Sequence, residues 1–209
     1  MFEKNFNKIN LITIFLGTVI FTIIIFPAKT ADAWYSDYTN RKSITVQSDN
    51  VDIDLTDFPV YINIDSDTDI GGAMQDTINY YDIRFTNTND SLLPYELEEM
   101  SISSGEATGS FWIKTDLSST TDTTLYMYYG KSGDTDGSAA TSTWNSGFNA
   151  VWHLSEGDST DADFYKDSTS NNNDGTLSDS NGDVTATSTQ TGKGLNFIGT
   201  TNDRVNTGN

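Results

Sequence analysis

Between residues 34 and 130 the chain alternates polar and apolar positions in short runs. Lys42-Ser43-Ile44-Thr45-Val46, Val60-Tyr61-Ile62-Asn63-Ile64 and Tyr81-Asp82-Ile83-Arg84-Phe85-Thr86 each repeat every second residue. Leu93-Pro94-Tyr95-Glu96-Leu97-Glu98, Phe111-Trp112-Ile113-Lys114 and Leu125-Tyr126-Met127-Tyr128-Tyr129 complete the set. A period of two sends alternate side chains to opposite faces of a strand. Spacers such as Thr88-Asn89-Asp90 supply turns, because Asn and Asp side chains bond their own backbone. The pattern predicts an all-β fold, an antiparallel β-sandwich of jelly-roll-like build. Pro94 has no N–H to give a ladder, so its strand is an edge or begins there. Tyr126 and Tyr128 face one way and Leu125, Met127 and Tyr129 the other, and both sets are apolar enough to be covered, as on a central strand. The one short helical turn suggested lies over residues 73–79.

Beyond this block the punctuation changes. Residues 130–146 are rich in Gly, Ser, Thr and Asp, which reads as a connector. Val151-Trp152-His153-Leu154 then reads as a compact apolar strand, and Gly192-Lys193-Gly194 as a turn into the strand Leu195-Asn196-Phe197. Asp203-Arg204-Val205 closes the chain. The predicted organisation is a leader at 1–33, a sandwich at 34–140, a connector at 141–150 and a second β domain at 151–209, incomplete at residue 209.

The leader is predicted from three features. Lys4 and Lys8 precede an apolar run over residues 11–26, and Ala31-Asp32-Ala33 places small residues at the two positions a signal peptidase reads. This describes a secretory signal peptide cut after Ala33, with an uncleaved anchor as the alternative, since the run nearly reaches spanning length. No second apolar run follows within residues 34–209, so no membrane contact is predicted for them after cleavage. The protein is expected to be secreted or on the cell surface.

Composition narrows the partners. The formal charge is −19, and residues 1–33 contribute three lysines against two acidic residues, so the remainder is more negative still. Such a surface repels phosphates and disfavours DNA or RNA. The aromatic content, 12%, argues against disorder despite the charge. With no cysteine, disulfides, thiolate catalysis and Cys-based metal sites are excluded.

Few residues carry candidate chemistry. His153 is the only histidine. It sits in an apolar run with no Gly-x-Ser-x-Gly elbow in the chain, which favours a structural histidine over a triad member. Glu96 and Glu98 share a strand face, and retaining glycosidases need two carboxyl groups about 5 Å apart. Acidic residues at alternate strand positions are more often a solvated face, so no catalytic residue is assigned and no enzymatic activity is expected. Gly192-Lys193-Gly194 lacks the frame of a phosphate loop. The densest set of oxygen donors is Asp167-Ser168-Thr169-Ser170-Asn171-Asn172-Asn173-Asp174-Gly175. Calcium takes six to eight oxygens, but an Asx-rich turn without metal has the same composition.

Two resemblances join these observations. Trp34-Tyr35, Arg41-Lys42-Ser43-Ile44-Thr45-Val46, Asp57-Phe58-Pro59-Val60, Asp82-Ile83-Arg84-Phe85, Leu92-Leu93-Pro94-Tyr95-Glu96-Leu97-Glu98 and Leu125-Tyr126-Met127-Tyr128-Tyr129-Gly130 resemble the DUF2341 domain. That family implies a β-sandwich within large bacterial and archaeal surface proteins, with no established activity. Asn79-Tyr80-Tyr81 departs from its pattern, since relatives more often carry a Gly-containing turn there. Residues 151–209 resemble the start of a laminin-G-like, concanavalin A-like jelly roll. In relatives of that kind glycines stand where Ser170 and Asn172 stand here, and Asn172 can adopt the positive φ of a glycine. The second resemblance implies glycan or cell-surface protein partners in an adhesin-like protein. It also implies one structural Ca²⁺ held by Asp167, Asn173 and Asp174, with Asp203. Two alternatives stay open: an accessory region of a polysaccharide-degrading enzyme whose catalytic domain lies beyond residue 209, and a structural spacer of the cell envelope.

Overall fold

The computed structural model describes residues 13–16, 19–22, 35–144, 147–179, 182–189, 192–198 and 202–207. The chain divides into two compact units, 1–37 and 38–209. In the first, β1 (Thr13–Leu16) pairs antiparallel with β2 (Val19–Thr22) inside the apolar run. The expected cleavage site at Ala31-Asp32-Ala33 lies outside the described residues. Among the described residues, no helix is long and apolar enough to cross a membrane.

The second unit is an antiparallel all-β sandwich. Its strands are β3 (Asn40–Val46), β4 (Leu55–Asp67), β5 (Ile83–Asn87), β6 (Tyr95–Ser103), β7 (Glu106–Leu117) and β8 (Thr123–Tyr129). They form two three-stranded sheets, β3-β8-β5 and β4-β7-β6. β8 is central, as its two-faced apolar pattern predicts, and β6 begins directly after Pro94 and is an edge strand. Leu125, Met127 and Tyr129 point into the core with Ile83, Phe85, Tyr95, Phe111 and Ile113. The rings of Phe85, Tyr95 and Phe111 meet edge-on with centroids 5.1–6.1 Å apart, the geometry their quadrupoles favour. Tyr95 Oη donates across the sandwich to the Ile83 carbonyl at 3.0 Å. On the opposite face of β8, Tyr128 is fully buried and Tyr126 lies under the Arg41 guanidinium, 4.2 Å from its ring centroid.

Three local readings change. The helical turn α1 is Thr68–Ala73, not 73–79. Asp67 caps it by accepting from Ile70 N, while Asp76 folds 76–81 into a turn by accepting from the N–H groups of Ile78, Asn79 and Tyr81. Gly71 lets this turn lie on the β6–β7 hairpin, since a Cβ there would stand 2.4 Å from the Gly105 carbonyl oxygen. Residues 151–154 form no strand, and Leu154 has φ 56°. A second one-turn helix, α2 (Ala140–Thr143), occupies the expected connector.

Downstream, β9 (Gly175–Ser178) pairs with β12 (Arg204–Thr207), and β10 (Thr185–Thr189) with β11 (Gly192–Asn196), all antiparallel. Tyr165, Leu177 and Val184 form a small core there. Asn172 adopts the left-handed conformation its amide tolerates, φ 53°.

Phe111 is fully buried at the centre of the larger core. Phe111→Ala is expected to lower the unfolding free energy in urea by about 3–5 kcal/mol. Ile53→Ala, at a side chain 68% exposed, should change it by less than about 0.5 kcal/mol. A small loss for Phe111→Ala would place the core elsewhere.

Candidate functional site

From Phe111 to Leu117 β7 alternates between buried and more exposed positions. Phe111 and Ile113 enter the core, so Trp112 and Lys114 project from the outer face of the β4-β7-β6 sheet. A tryptophan there needs cover, and Trp144 and His153 pack against it. Trp112 packs on its cross-strand neighbour Tyr61 at 5.1 Å and on Trp144 at 5.2 Å. β6 contributes two carboxylates to this face. Its inward residues switch parity from Tyr95 and Leu97 to Met100 and Ile102, because a bulge between Leu97 and Glu99 leaves Glu98 without a ladder partner. Bulges re-aim side chains in this way.

The imidazole of His153 lies between those carboxylates. Nδ1 is 2.6 Å from Glu98 Oε2 and Nε2 is 3.1 Å from Glu96 Oε2. Trp112 Nε1 donates to Glu98 Oε2 at 3.0 Å and Trp144 Nε1 to Glu96 Oε2 at 2.6 Å. Ser168 Oγ donates to Glu96 Oε1 at 2.6 Å. The three charged side chains are 16%, 12% and 5% exposed for His153, Glu96 and Glu98. Burial alone would lower the histidine pKa, but hydrogen bonds to Glu96 and Glu98 and their charge outweigh it and push it up to about 9. Burial likewise works against ionised Glu96, yet the hydrogen bonds from His153 and Ser168 hold its carboxyl below the usual range. The group is therefore an imidazolium clamped by two carboxylates. The histidine ring thus lies between the two carboxyl groups.

The oxygen-rich turn holds the other side of this clamp in place. Asp167 Oδ1 accepts from Val151 N and Thr169 N, and Oδ2 from Thr169 Oγ1 and Asn173 N, at 2.9–3.0 Å. Burial raises its pKa, but these donors more than compensate and lower it. Trp152 Nε1 donates to the Asn173 carbonyl, and Asp174 accepts from Lys166 Nζ and Asp167 N. The turn thus ties the segment bearing His153 to the segment bearing Ser168. Asp203 lies apart from it, with Asp179 and Asp183. These three carboxylates approach within 4.8 Å, are partly buried and could hold a metal ion. Asp167, Asn173 and Asp174 are gathered in the turn, and Asp203 belongs to this second acidic group.

Beside the clamp is a cleft of about 430 Å³ lined by Trp144, Phe148, Ser142, Thr169, Ser170 and Asn171, together with Asp57 and Lys114. Sequence reasoning does not bring these residues together. A signal for the bulge was present in the doubled Glu98-Glu99 between inward-facing Leu97 and Met100.

The clamp gives stability a defined pH dependence. A histidine pKa raised from 6.5 to about 9 contributes stability that is full below about pH 6.5 and lost as pH rises through 9. The depressed Glu96 carboxyl contributes stability that is lost only as pH falls through its folded value. Urea unfolding of the full chain should therefore weaken between pH 6.5 and 9, by up to about 3 kcal/mol at 1.36 kcal/mol per unit. His153→Gln should be less stable at pH 6 and nearly flat across that interval. A wild-type profile as flat as that of the variant would contradict the clamp.

Residues 79–177 match the family described as "Domain of unknown function (DUF2341)". No curated protein and no solved structure matches the chain. The matched segment contains every member of the clamp, Glu96, Glu98, Trp112, Trp144, His153 and Ser168, together with the Asp167 turn, and ends before the acidic group of Asp179, Asp183 and Asp203.

Proposed function

We propose that this chain is an exported, non-catalytic surface module that binds glycans or partner proteins as part of a larger adhesin-like protein. The observation that carries this reading is the cleft beside the clamp, where Trp144 and Phe148 line one hollow with hydroxyl and amide groups. Such a combination suits a sugar, whose C–H faces pack on aromatic rings while its hydroxyls find polar partners. A binding role is further supported by the clamp, whose carboxylates are occupied by indole, hydroxyl and imidazolium donors. In this reading residues 151–209 open a laminin-G-like, concanavalin A-like sandwich. Their motif order and the two antiparallel ladders over Tyr165, Leu177 and Val184 support that assignment. Export is supported by the charged, apolar and small-residue succession of 1–33. A structural Ca²⁺ ion belongs to the same reading, with Asp203 as the expected ligand that lies among other carboxylates.

The test is a glycan-array and surface-protein screen of the full chain, run with Ca²⁺ and with EGTA. Binding to a defined glycan subset or to a surface protein is expected, without cleavage of the ligand. Ser170→Arg, at an exposed position of the cleft, should abolish binding while leaving the circular dichroism unchanged. EGTA should lower the melting temperature and Ca²⁺ restore it. Failure to bind any glycan or surface protein would overturn the binding role, turnover of a glycan would overturn the non-catalytic assignment, and a melting temperature indifferent to EGTA would remove the ion.

A further inference from the structure

The cleft does not end at Asp57 and Lys114. A second hollow, about 410 Å³, opens at the end of the sandwich and shares both residues with the first. It is lined by Thr88, Thr115, Asp116, Asp122 and Thr124 among others. The Lys114–Asp57 pair thus lines both hollows. We propose that the two hollows join into one groove, which takes a neutral oligosaccharide chain that crosses this pair. The proposal rests on the glycan-binding reading of the first cleft and extends it to a ligand class and a second compartment.

The crossing point is suited to a polar ligand. Lys114 Nζ is 3.9 Å from Asp57 Oδ1, a loose pair, and among the described residues it makes no other ion pair. The lysine side chain is 20% exposed and that of Asp57 61%. A hydroxyl placed there can accept from the ammonium and donate to the carboxylate, forming two charge-assisted hydrogen bonds. The walls are fixed before a ligand arrives. Asp57 sits in the irregular stretch of β4 at φ 53°, where Asp116 accepts from its N–H at 2.8 Å. Asp122 accepts from the N–H and hydroxyl of Ser48.

Charge selects against anionic chains. Among the described lining residues the groove sets Asp57, Asp116 and Asp122 against one cation, Lys114, in a chain of net charge −19. Acidic polymers are repelled by such a field. Threonine hydroxyls and carboxylates offer donors and acceptors to a polyhydroxylated neutral chain. Each compartment falls within the usual range of about 300–1,000 Å³ for small-molecule sites, so the joined groove takes a ligand longer than a monosaccharide.

Isothermal titration of the full chain with cello-, laminari-, xylo- and manno-oligosaccharides of increasing length tests this, with oligogalacturonates as the anionic comparison. At least one neutral series should bind more tightly as it lengthens and then level off, and oligogalacturonates should bind more weakly at equal length. Thr88→Arg, at an exposed turn position of the second compartment, should remove the gain with length. The loss should be about tenfold for the longest chains, or 1.4 kcal/mol, while the shortest bound member keeps its affinity. Neutral chains that bind equally at all lengths, unaffected by Thr88→Arg, would overturn the groove and leave the glycan reading standing. Tighter binding of oligogalacturonates would overturn the ligand class. Absence of binding by every probe would overturn the groove and the glycan reading together.

Discussion

A buried imidazolium between two carboxylates decides how the second unit is assembled. His153 brings its charge to the outer face of the β4-β7-β6 sheet, where Glu96 and Glu98 meet its two nitrogens. Taking three charges out of water costs several kcal/mol per ion unless the geometry also satisfies the remaining lone pairs. Trp112, Trp144 and Ser168 do so here, each donating to one of the carboxylates. Losing one partner would strand a buried charge, at a cost of about 3–5 kcal/mol. The clamp therefore fixes which segment covers Trp112. It also fixes where Trp144 and Phe148 stand, and with them the wall of the cleft. The Asp167 turn serves this arrangement by tying Val151, Thr169 and Asn173 together, so that His153 and Ser168 approach Glu96 from fixed positions.

The sandwich was legible because its strands follow one simple rule. Period-two alternation marks β3, β5 and β7, the doubly apolar run marks β8 as central, and Pro94 marks the start of an edge strand. β10 escaped that rule because Thr-Ala-Thr-Ser-Thr is exposed throughout and has no apolar face to alternate. The apolar run at 151–154 suggested a strand, yet its side chains are partly buried by other means. Trp152 and Leu154 pack against the Tyr165 cluster and His153 turns to the sheet.

The clamp was the least legible part. His153 and Glu96 are 57 residues apart, and a lone histidine in an apolar run carries no sign of its partners. The relation between Glu96 and Glu98 was visible as shared strand face, but the bulge at Glu98 and the indole donors depend on tertiary contacts. Oxygen-rich turns and cation loops share a composition. The four donors that Asp167 accepts from are set by the folded turn and do not show in that composition. The match over residues 79–177 encloses the clamp and the turn as one block, in keeping with their physical interdependence.

Nuclear magnetic resonance titration of the His153 ring in the full chain tests this account most directly, since there is only one histidine to observe. The account predicts that Nδ1 and Nε2 are both protonated at neutral pH, with a midpoint near 9 and ring protons protected from solvent exchange. A midpoint at the ordinary histidine value near 6.5, or a neutral tautomer at pH 7, would contradict the charged clamp and the assembly built on it.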